Sequence, residues 1–221
     1  MKNRCVLLFL KSPEIGRVKT RLSKHLNPRT VVDLYRCFVS DILSTLEKTG
    51  HPIILCHDPP NDPEAIRRWL GSRHPLMPQH TGDLGERMAD AFRNGFSRGF
   101  DQAVLIGTDI PDLPSAFVRE AFSELTEHPV VIGPAEDGGY YLIGFRSDSF
   151  TPEVFKGIHW STSSVLLQTR RILKTLGHKY HLLPNWKDID TALDLKALNK
   201  NPHSPRNAPN TLAYLSKMGV N

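Results

Sequence analysis

The sequence predicts an α/β protein of three layers, in which helices cover both faces of a mostly parallel central sheet. Strand-like apolar runs alternate with helical segments along the chain, which is the pattern of successive βαβ units. The run QAVLIG lacks alternating polarity, as expected for a strand covered on both faces. With 221 residues, 39% of them apolar, the chain has the size and core of a single domain.

The N-terminal half supplies two predicted strands, RCVLLFL and PIILCH, and three predicted helices. The helix between the strands repeats its apolar residues at helical spacing and ends at Gly50. Asp62 is the predicted N-cap of the next helix, which stops at Gly71. The predicted elements are strands 4–10 and 52–57 and helices 28–50, 63–71 and 84–100.

The C-terminal half continues the alternation. Residues 1–200 are predicted to form the domain, and residues 201–221 a loop and short helix packed on it, because the tail around NKNPHSPRNAPN is rich in Pro and Asn. The predicted elements are strands 102–107, 129–133, 140–145 and 180–184 and helices 115–128 and 161–177.

Positive charge is concentrated near the N-terminus. Residues 1–30 hold eight Lys or Arg and one acidic residue, Glu14, while the whole chain is only +5. A nucleic-acid binder more often shows a basic stripe with interleaved aromatic residues, so no nucleic-acid partner is expected. Two interpretations of the basic segment remain, a solvated loop and a local phosphate site.

Cysteine usage and hydropathy indicate a cytoplasmic protein without a membrane span. Cys5, Cys37 and Cys56 form no CxxC pair and are expected to be reduced. No apolar run approaches the roughly 18 residues of a membrane helix, and no signal peptide is recognisable. The ten histidines show no metal-binding pattern; His178 and His181 are in the wrong register to share one strand face.

Polar loops that follow strand ends are the predicted site, because ligands of such sheets bind beyond the carboxyl ends of the strands. The first, KSPEIGRVKTRL, lacks the Walker A spacing and the GxGxxG pattern. It keeps Gly16 for a tight turn, and Lys19 and Arg21 suit a diphosphate as point charge and planar fork. The second, GTDIPDLP, places Asp109 where a divalent metal would bridge a carboxylate and bound phosphates, although Asp is also common as a turn residue.

A string of motifs over residues 4–198 resembles one protein family. In order, they are FLKSPEIGRVKTRL, GDLGERM, IGTDIPDLP, GPAEDGGYYLIG, IHWSTSSVL and DIDTALDL. The chain is identified by them as a member of a glycosyltransferase-like family of the nucleotide-diphospho-sugar transferase superfamily. That resemblance implies the single-domain, Rossmann-like GT-A fold, a nucleotide substrate and a Mg²⁺ or Mn²⁺ cofactor. The superfamily also includes cofactor guanylyltransferases.

The resemblance implies the metal ligands. GTDIP matches the superfamily's metal-binding aspartate motif, which makes Asp109 the first ligand. DIDTALDL resembles the DxDTPEDL segment of nucleotidyltransferases, which points to Asp190 as the second ligand and to Asp188 as the less favoured choice. Ala192 and Leu193 depart from that segment, at positions that start a helix. The alternative interpretation of this segment is a capped helix start.

The remaining roles follow from the same comparison. Lys19 and Arg21, with Arg17, would neutralise phosphates on the side away from the metal, and Lys11 would contact base or ribose or be solvated. Asp137 or Glu136 is the candidate base for an attacking hydroxyl. If Asp137 is not the base, it orients a sugar hydroxyl or is a turn residue before the two glycines. The candidate acceptor or sugar floor is made of Glu136, Asp137, Gly138, Gly139 and one of Tyr140 and Tyr141.

Two further features each have two interpretations. The segment QHTGDLGERM, with Gly82, Asp83 and Arg87, is either a mobile flap over the nucleotide, which we favour, or a capped helix start with a structural ion pair. Trp160 either stacks on a sugar or anchors the core.

Three functions are consistent with these residues. The leading one is a metal-dependent glycosyltransferase that moves a sugar from a nucleoside diphosphate sugar to a small acceptor. The second is a nucleotidyltransferase that joins a nucleoside triphosphate to a phosphorylated small molecule and releases pyrophosphate. The third is a non-catalytic nucleotide-binding module. The expected partners are a nucleotide sugar or nucleoside triphosphate and a small-molecule acceptor, and a homodimer is compatible with them.

Overall fold

A single twisted sheet with helices on both faces organises the chain. The computed structural model describes residues 3–201 and 204–219. Within them, seven strands follow the order β3-β2-β1-β4-β6-β5-β7, and β6 alone runs antiparallel to its neighbours. The strands are β1 Arg4–Lys11, β2 Ile53–Asp58, β3 Leu76–Pro78, β4 Gln102–Ile106, β5 Val130–Pro134, β6 Tyr140–Arg146 and β7 Tyr180–Leu182.

Eight α-helices and two short 3-10 helices accompany these strands within the described residues, and the last three α-helices follow the final strand. The prediction of an α/β protein with a mostly parallel sheet is confirmed. The α-helices are α1 Pro28–Glu47, α2 Pro63–Leu70, α3 Leu84–Ser97, α4 Ser115–Glu124, α5 Val165–Thr175, α6 Ala192–Lys200, α7 Ser204–Asn207 and α8 Pro209–Lys217; the 3-10 helices are Leu22–Lys24 and Pro152–Phe155.

The core lies in two layers, one on each face of the sheet. On β1, Leu8 packs in a cluster with α1, α2 and α4, whereas Leu7 packs on the opposite face with α3 and α5. Both residues are fully buried. This two-sided burial explains why the central strands show no polar alternation.

Local signals explain most helix boundaries. The side chain of Asp62 accepts a hydrogen bond from the backbone N–H of Ala65, and α2 ends at Gly71, as predicted. The sequence prediction missed β3, because its three residues follow Pro75, end in Pro78 and lack a strand pattern. The predicted helix 161–177 begins only at Val165, because Ser161 has a φ of +63° and belongs to a turn.

The C-terminal helix α8 packs on α1. The carboxylate of Asp41, on α1, is fully buried and accepts hydrogen bonds from the backbone N–H groups of Asn210 (3.0 Å) and Thr211 (2.8 Å). A carboxylate at a helix N-terminus stabilises the otherwise unpaired N–H groups there. Asp41 therefore fixes the start of α8 on the domain.

No helix among the described residues is long and apolar enough to cross a membrane. The cysteines Cys5, Cys37 and Cys56 are all free thiols.

Candidate functional site

A crevice of about 680 Å³ opens beyond the carboxyl ends of β1 and β4. That volume lies in the range of pockets that hold nucleotide-sized ligands. Three of the segments that line it are the basic loop KSPEIGRVKTRL after β1, the loop after β4, and the DIDT segment at residues 188–191. The candidate residues of the sequence analysis among its lining are Lys11, Arg17, Lys19, Arg21, Gly82, Arg87, Asp109, Tyr140, Tyr141, Asp188 and Asp190.

The Lys19 ammonium lies at the centre of the charged residues. Its Nζ is 2.7 Å from Asp109 Oδ1 and 3.0 Å from Asp190 Oδ1, and it donates a hydrogen bond of 2.6 Å to the carbonyl oxygen of Ile189. The side chain is only 4% exposed. Lys19 thus lies among the carboxylates, whereas the sequence analysis placed it on the side of the phosphates away from the metal.

The backbone of Lys19 has a φ of +46°, in the left-handed region that non-glycine residues rarely adopt. Such conformations cost of order 1–3 kcal/mol and persist where surrounding contacts hold them. Here the contacts to three oxygen atoms hold the side chain, so the strained turn serves to bring the ammonium to the carboxylates.

A backbone hydrogen bond joins the two acidic segments. The N–H of Ile189 donates to the carbonyl oxygen of Asp109 at 2.8 Å. The side chains on either side of Ile189, those of Asp188 and Asp190, therefore meet the loop after β4 although some 80 residues separate them in sequence. Ile189 itself is buried and anchors the segment in a small apolar cluster with α1.

Asp188 is the carboxylate of the site with a buried, unpartnered oxygen. Its Oδ1 is buried and has no hydrogen-bond partner among the described residues. Burial, followed by the negative charges of Asp109 and Asp137, raises the pKa of the Asp188 carboxyl to about 7. An ionised carboxylate in this position requires a nearby cation to be stable.

The Asp190 carboxylate contacts two positively charged side chains. Besides Lys19, it accepts a hydrogen bond of 3.1 Å from Arg21 Nη1. Arg21 is 65% exposed, so its side chain can turn to a ligand at little cost. The Arg17 side chain forms a 3.6 Å ion pair with Glu14 at the surface.

The carboxylates of Asp109, Asp188 and Asp190 have the chemistry of a Mg²⁺ or Mn²⁺ site, because hard divalent cations prefer carboxylate oxygens. The unpartnered Oδ1 of Asp188 fits such a cation. Among the described residues, however, the oxygens of all three do not lie within 4.8 Å of one another. The Lys19 ammonium pairs with both Asp109 and Asp190 and so offsets the repulsion between these two carboxylates.

The predicted acceptor floor forms the turn between β5 and β6. Asp137 Oδ1 accepts a hydrogen bond of 2.8 Å from the backbone N–H of Gly139, so one of its oxygens shapes the turn. The side chains of Asp137 and Glu136 are exposed. Neither they nor Gly138 and Gly139 are among the residues that line the crevice, although Asp137 lies close enough to act on the charge of Asp188.

Gly138 is required for the packing of this turn. It has a φ of +89°, and a Cβ there would overlap the backbone of Ser163. Its carbonyl oxygen accepts a 2.9 Å hydrogen bond from the N–H of Leu166, at the start of α5. The turn and the loop before α5 therefore form one tightly packed unit beside the crevice.

The arrangement of residues 79–88 favours the capped helix start over the flap. Asp83 is the N-cap of α3, and its Oδ1 accepts a 2.8 Å hydrogen bond from the N–H of Glu86, whose side chain bonds back to the N–H of Asp83. Arg87 donates to the carbonyl oxygen of Gly82 and lies 3.6 Å from Asp58. The segment is a capped helix start, and the Asp83 carboxylate is occupied by the cap rather than directed at phosphate.

Trp160 belongs to the core beneath α3. Its ring packs with the apolar cluster on that face and would contact any Cβ added at Gly85. It is not among the residues that line the crevice. Trp160 is therefore packed as a core residue, as the second interpretation proposed. This arrangement does not support stacking of its ring on a sugar.

Sequence reasoning missed two buried polar residues of the crevice. The Tyr35 hydroxyl accepts hydrogen bonds from the N–H of Lys11 (2.9 Å) and from Thr108 Oγ1 (3.3 Å), which ties β1 to the loop after β4. Burial raises the pKa of Tyr35 well above its usual value, so its hydroxyl stays neutral. Gln79 Nε2 donates to the carbonyl oxygen of Cys56 at 2.8 Å. Tyr35 lies on the apolar face of α1, where the sequence pattern indicates only a core residue.

Asp112 holds the C-terminal segment onto the loop that carries Asp109. It is only 2% exposed. It accepts hydrogen bonds from Trp186 Nε1 (2.9 Å), Asn201 Nδ2 (2.6 Å) and Ser204 Oγ (3.1 Å). Burial raises the pKa of this carboxyl. Because Trp186 is two residues before Asp188, this network positions the acidic segment.

Comparison with known proteins identifies relatives of this fold. The family model described as "Uncharacterized protein conserved in bacteria (DUF2064)" matches residues 42–162, more than half of the chain. A crystal structure from Desulfovibrio desulfuricans G20, provisionally described as a nucleotide-diphospho-sugar transferase, is 41% identical. The match covers 100% of this chain and 96% of that chain with a TM-score of 0.93. The resemblance inferred from the sequence motifs is thereby confirmed.

Two more distant structures share the fold. Rv0371c from Mycobacterium tuberculosis H37Rv, in complex with manganese, is 15% identical over 90% of this chain and 99% of that chain, with a TM-score of 0.54. The inositol-1-phosphate CTP transferase from T. maritima is 14% identical over 95% of this chain and 96% of that chain, with a TM-score of 0.56. A search of curated proteins finds no match.

Proposed function

We propose that this chain, which belongs to the DUF2064 family of bacterial proteins, is a metal-dependent transferase that moves a sugar from a nucleoside diphosphate sugar to a small acceptor. The observation that carries the proposal is the meeting of three acidic residues, Asp109, Asp188 and Asp190, with the Lys19 ammonium in one crevice at the strand ends. The 41% identical relative carries the same kind of description.

Asp109 and Asp188 are the residues that would hold the metal. The sequence analysis preferred Asp190 over Asp188. The ion pairs of Asp190 with Lys19 and Arg21, and the unpartnered Oδ1 of Asp188, favour the opposite order. When bound, Mg²⁺ or Mn²⁺ would neutralise charge on the diphosphate oxygens. A distant relative of the same fold binds manganese.

Lys19 and Arg21 would stabilise the leaving nucleoside diphosphate. As the bond between the anomeric carbon and the diphosphate oxygen breaks, negative charge develops on that oxygen and its neighbours. Preorganised cations stabilise such charge most where water is excluded, and the Lys19 side chain is 4% exposed. Arg21 is exposed and would add a planar, bidentate contact.

The acceptor hydroxyl forms the new bond to the anomeric carbon and loses its proton. Asp137 is the proposed base if the configuration inverts, because it lies near Asp188 at the rim of the site and only one of its oxygens is held, by the N–H of Gly139. Its exposure leaves room for an acceptor to approach.

Nucleotidyl transfer is the second candidate, and one observation favours it. The DIDT segment brings both of its aspartates to Asp109, which is the placement that its resemblance to nucleotidyltransferases implies. In that reaction a phosphate oxygen of the acceptor attacks the α-phosphorus of a nucleoside triphosphate, and pyrophosphate leaves. A structure of the same fold is described as a CTP transferase.

Thermal unfolding with and without Mg²⁺ or Mn²⁺ tests the proposal. The ligands are UDP, GDP, several nucleotide sugars and the four nucleoside triphosphates. A ligand at about 100 times its Kd adds roughly 2.7 kcal/mol to the free energy of unfolding, which raises Tm by about 5–10 °C for a chain of this size. Asp109→Ala should abolish the metal-dependent shifts, while Asp148→Ala, at an exposed site, should keep them.

Each outcome separates the candidates. Metal-dependent Tm shifts by a nucleoside diphosphate and by the matching nucleotide sugar would support glycosyl transfer and identify the donor. Shifts confined to one triphosphate support nucleotidyl transfer instead. No shift by any ligand, or equal shifts in Asp109→Ala, would overturn both proposals and leave a non-catalytic module.

A further inference from the structure

Three metal-ligating side chains converge at the end of the sheet opposite the crevice. Glu124 is the last residue of α4, His128 lies in the turn before β5, and His181 is the middle residue of β7. One ligand atom from each lies within 4.8 Å of the other two. Since β5 and β4 both run toward the crevice, the start of β5 marks the far edge of the sheet.

The two distances from the Glu124 carboxylate to the histidine nitrogens match the edge of a metal coordination polyhedron. Glu124 Oε2 is 3.2 Å from His128 Nδ1 and 3.3 Å from His181 Nδ1. Tetrahedral ligands at about 2.0–2.1 Å from Zn²⁺ stand about 3.3 Å apart. His128 Nδ1 is buried and has no hydrogen-bond partner among the described residues, so its contact with Glu124 is not a hydrogen bond.

The electrostatics of α4 also favour a cation here. The last turn of this ten-residue helix contains Glu124 and no basic residue. A negative side chain at a helix C-terminus interacts unfavourably with the helix dipole. A bound cation would offset this unfavourable interaction. A second carboxylate, that of Glu120, lies one turn earlier on the same helix.

The Glu120 carboxylate lies where it could orient the ring of a metal-bound His181. Its Oε1 is 3.7 Å from His181 Nε2, the ring nitrogen opposite the one that faces Glu124. Metal-bound histidines usually donate their second N–H to a carboxylate, which fixes the tautomer and the ring orientation. At 3.7 Å the contact is longer than a hydrogen bond, and a small side-chain movement closes it.

We propose that Glu124, His128 and His181 form a second metal site, for a divalent transition-metal ion of the Zn²⁺ type, with Glu120 as its outer partner. Two imidazole nitrogens and one carboxylate oxygen suit such an ion, whereas Mg²⁺ prefers oxygen ligands alone. This site is separate from the acidic residues of the crevice and does not depend on the proposed transfer reaction.

A metal bound at this site would stabilise the edge of the sheet at β7. β7 has three residues and pairs only with β5 among the described strands. A metal held by His181, Glu124 and His128 would cross-link this edge strand to the connection between α4 and β5. Because Asp188 follows His181 by seven residues, the same link would steady the segment that carries the acidic residues to the crevice.

Titration calorimetry with Zn²⁺ on the full chain near neutral pH tests the proposal. Glu124→Gln, His128→Ala and His181→Ala should each weaken one Zn²⁺ binding event at least about tenfold, and Glu120→Gln should weaken it about tenfold. Asp109→Ala should keep this event, which separates it from metal bound in the crevice. His25→Ala, which removes an exposed histidine elsewhere, is the matched control.

Circular dichroism checks that each variant folds, and Glu124→Gln is the decisive one because it preserves the shape of the side chain. Unchanged Zn²⁺ affinity in folded Glu124→Gln and His181→Ala would overturn the proposal. So would a parent protein that shows no saturable Zn²⁺ binding, which would leave the cluster as an ion-pair network between histidine and glutamate.

Discussion

The Nζ of Lys19 lies 2.7 Å from Oδ1 of Asp109, at a point where a divalent metal would contact the same carboxylate. The ammonium is nearly inaccessible to solvent and reaches its position through a left-handed backbone turn. Lys19 thus contacts two of the three carboxylates, and Arg21 contacts one of them. A metal ion bound at Asp109, as we propose, would compete with Lys19 or displace it toward a phosphate.

Replacing Lys19 by Met should therefore change metal and nucleotide binding in opposite directions. Without the competing ammonium, Mn²⁺ alone should bind about tenfold tighter, a change of about 1.4 kcal/mol. A nucleoside diphosphate should bind more weakly in the presence of the metal, because its phosphates lose a cationic partner. Titration calorimetry measures both affinities. Lys24→Met, at an exposed lysine nearby, should alter neither, and unchanged Mn²⁺ affinity in Lys19→Met would contradict the competition.

The stability of the metal-free protein should depend on Asp188 and on pH. The folded-state pKa of about 7 lies above the usual value of 3.8, so the folded protein binds the extra proton and loses stability as pH rises between these values. Asp188→Asn mimics the neutral form. In the presence of a chelator, it should raise the free energy of unfolding by at least about 2 kcal/mol near pH 8 and by little near pH 4, where the carboxyl is largely protonated in both the folded and the unfolded chain.

Urea denaturation at the two pH values measures this difference. Asp148→Asn, at an exposed carboxylate, should show no such pH dependence. An equal effect of Asp188→Asn at both pH values would show that the Asp188 carboxyl titrates normally in the folded protein.

Removal of the Asp112 carboxylate should destabilise the fold. Asp112→Ala deprives three donors, on Trp186, Asn201 and Ser204, of this buried acceptor, and we expect a loss of about 3–5 kcal/mol in the free energy of unfolding. Asp112→Asn keeps the volume and one acceptor oxygen and should lose less. Denaturant unfolding gives both values. A loss below 1 kcal/mol in Asp112→Ala, or about the same as in Asp148→Ala, would argue against an anchoring role.

Alanine substitutions at two glycines separate backbone strain from steric overlap. Gly138 and Gly157 both have positive φ, +89° and +69°, but only at Gly138 would a Cβ overlap a neighbour, the backbone of Ser163. Gly157→Ala should cost about 1 kcal/mol for the backbone conformation alone. Gly138→Ala should cost at least about 1 kcal/mol more, as overpacking does. Thermal unfolding compares them, and equal losses would mean that the loop before α5 moves aside freely.

Local sequence signals predicted most of the secondary structure. The cap at Asp62, the stop at Gly71 and the unbroken apolar run of β4 each depend on neighbouring residues, so the sequence pattern expresses them directly. β3 escaped prediction because its pairing with β2, and not its own three residues, makes it a strand.

The site was partly predictable for the same reason. Asp109 and Lys19 stand in loops that follow strand ends, and that placement is visible in the sequence. The capped start of α3 resembles a flap when only its glycines are considered, and the reciprocal bonds of Asp83 and Glu86 decide between the two interpretations. The order of preference between Asp188 and Asp190 depends on which side chain Lys19 and Arg21 reach.

The α/β class, the alternation of its elements and the family could be inferred from the sequence alone, because they depend on local periodicity and on motif order. Which distant residues meet became known from the three-dimensional fold. The bond from Ile189 to Asp109 brings the DIDT segment to the loop after β4, and the pairing of β7 with β5 brings His181 to Glu124 and His128. Such contacts follow from strand order and register, which bring together side chains far apart in the chain and leave no local pattern in it.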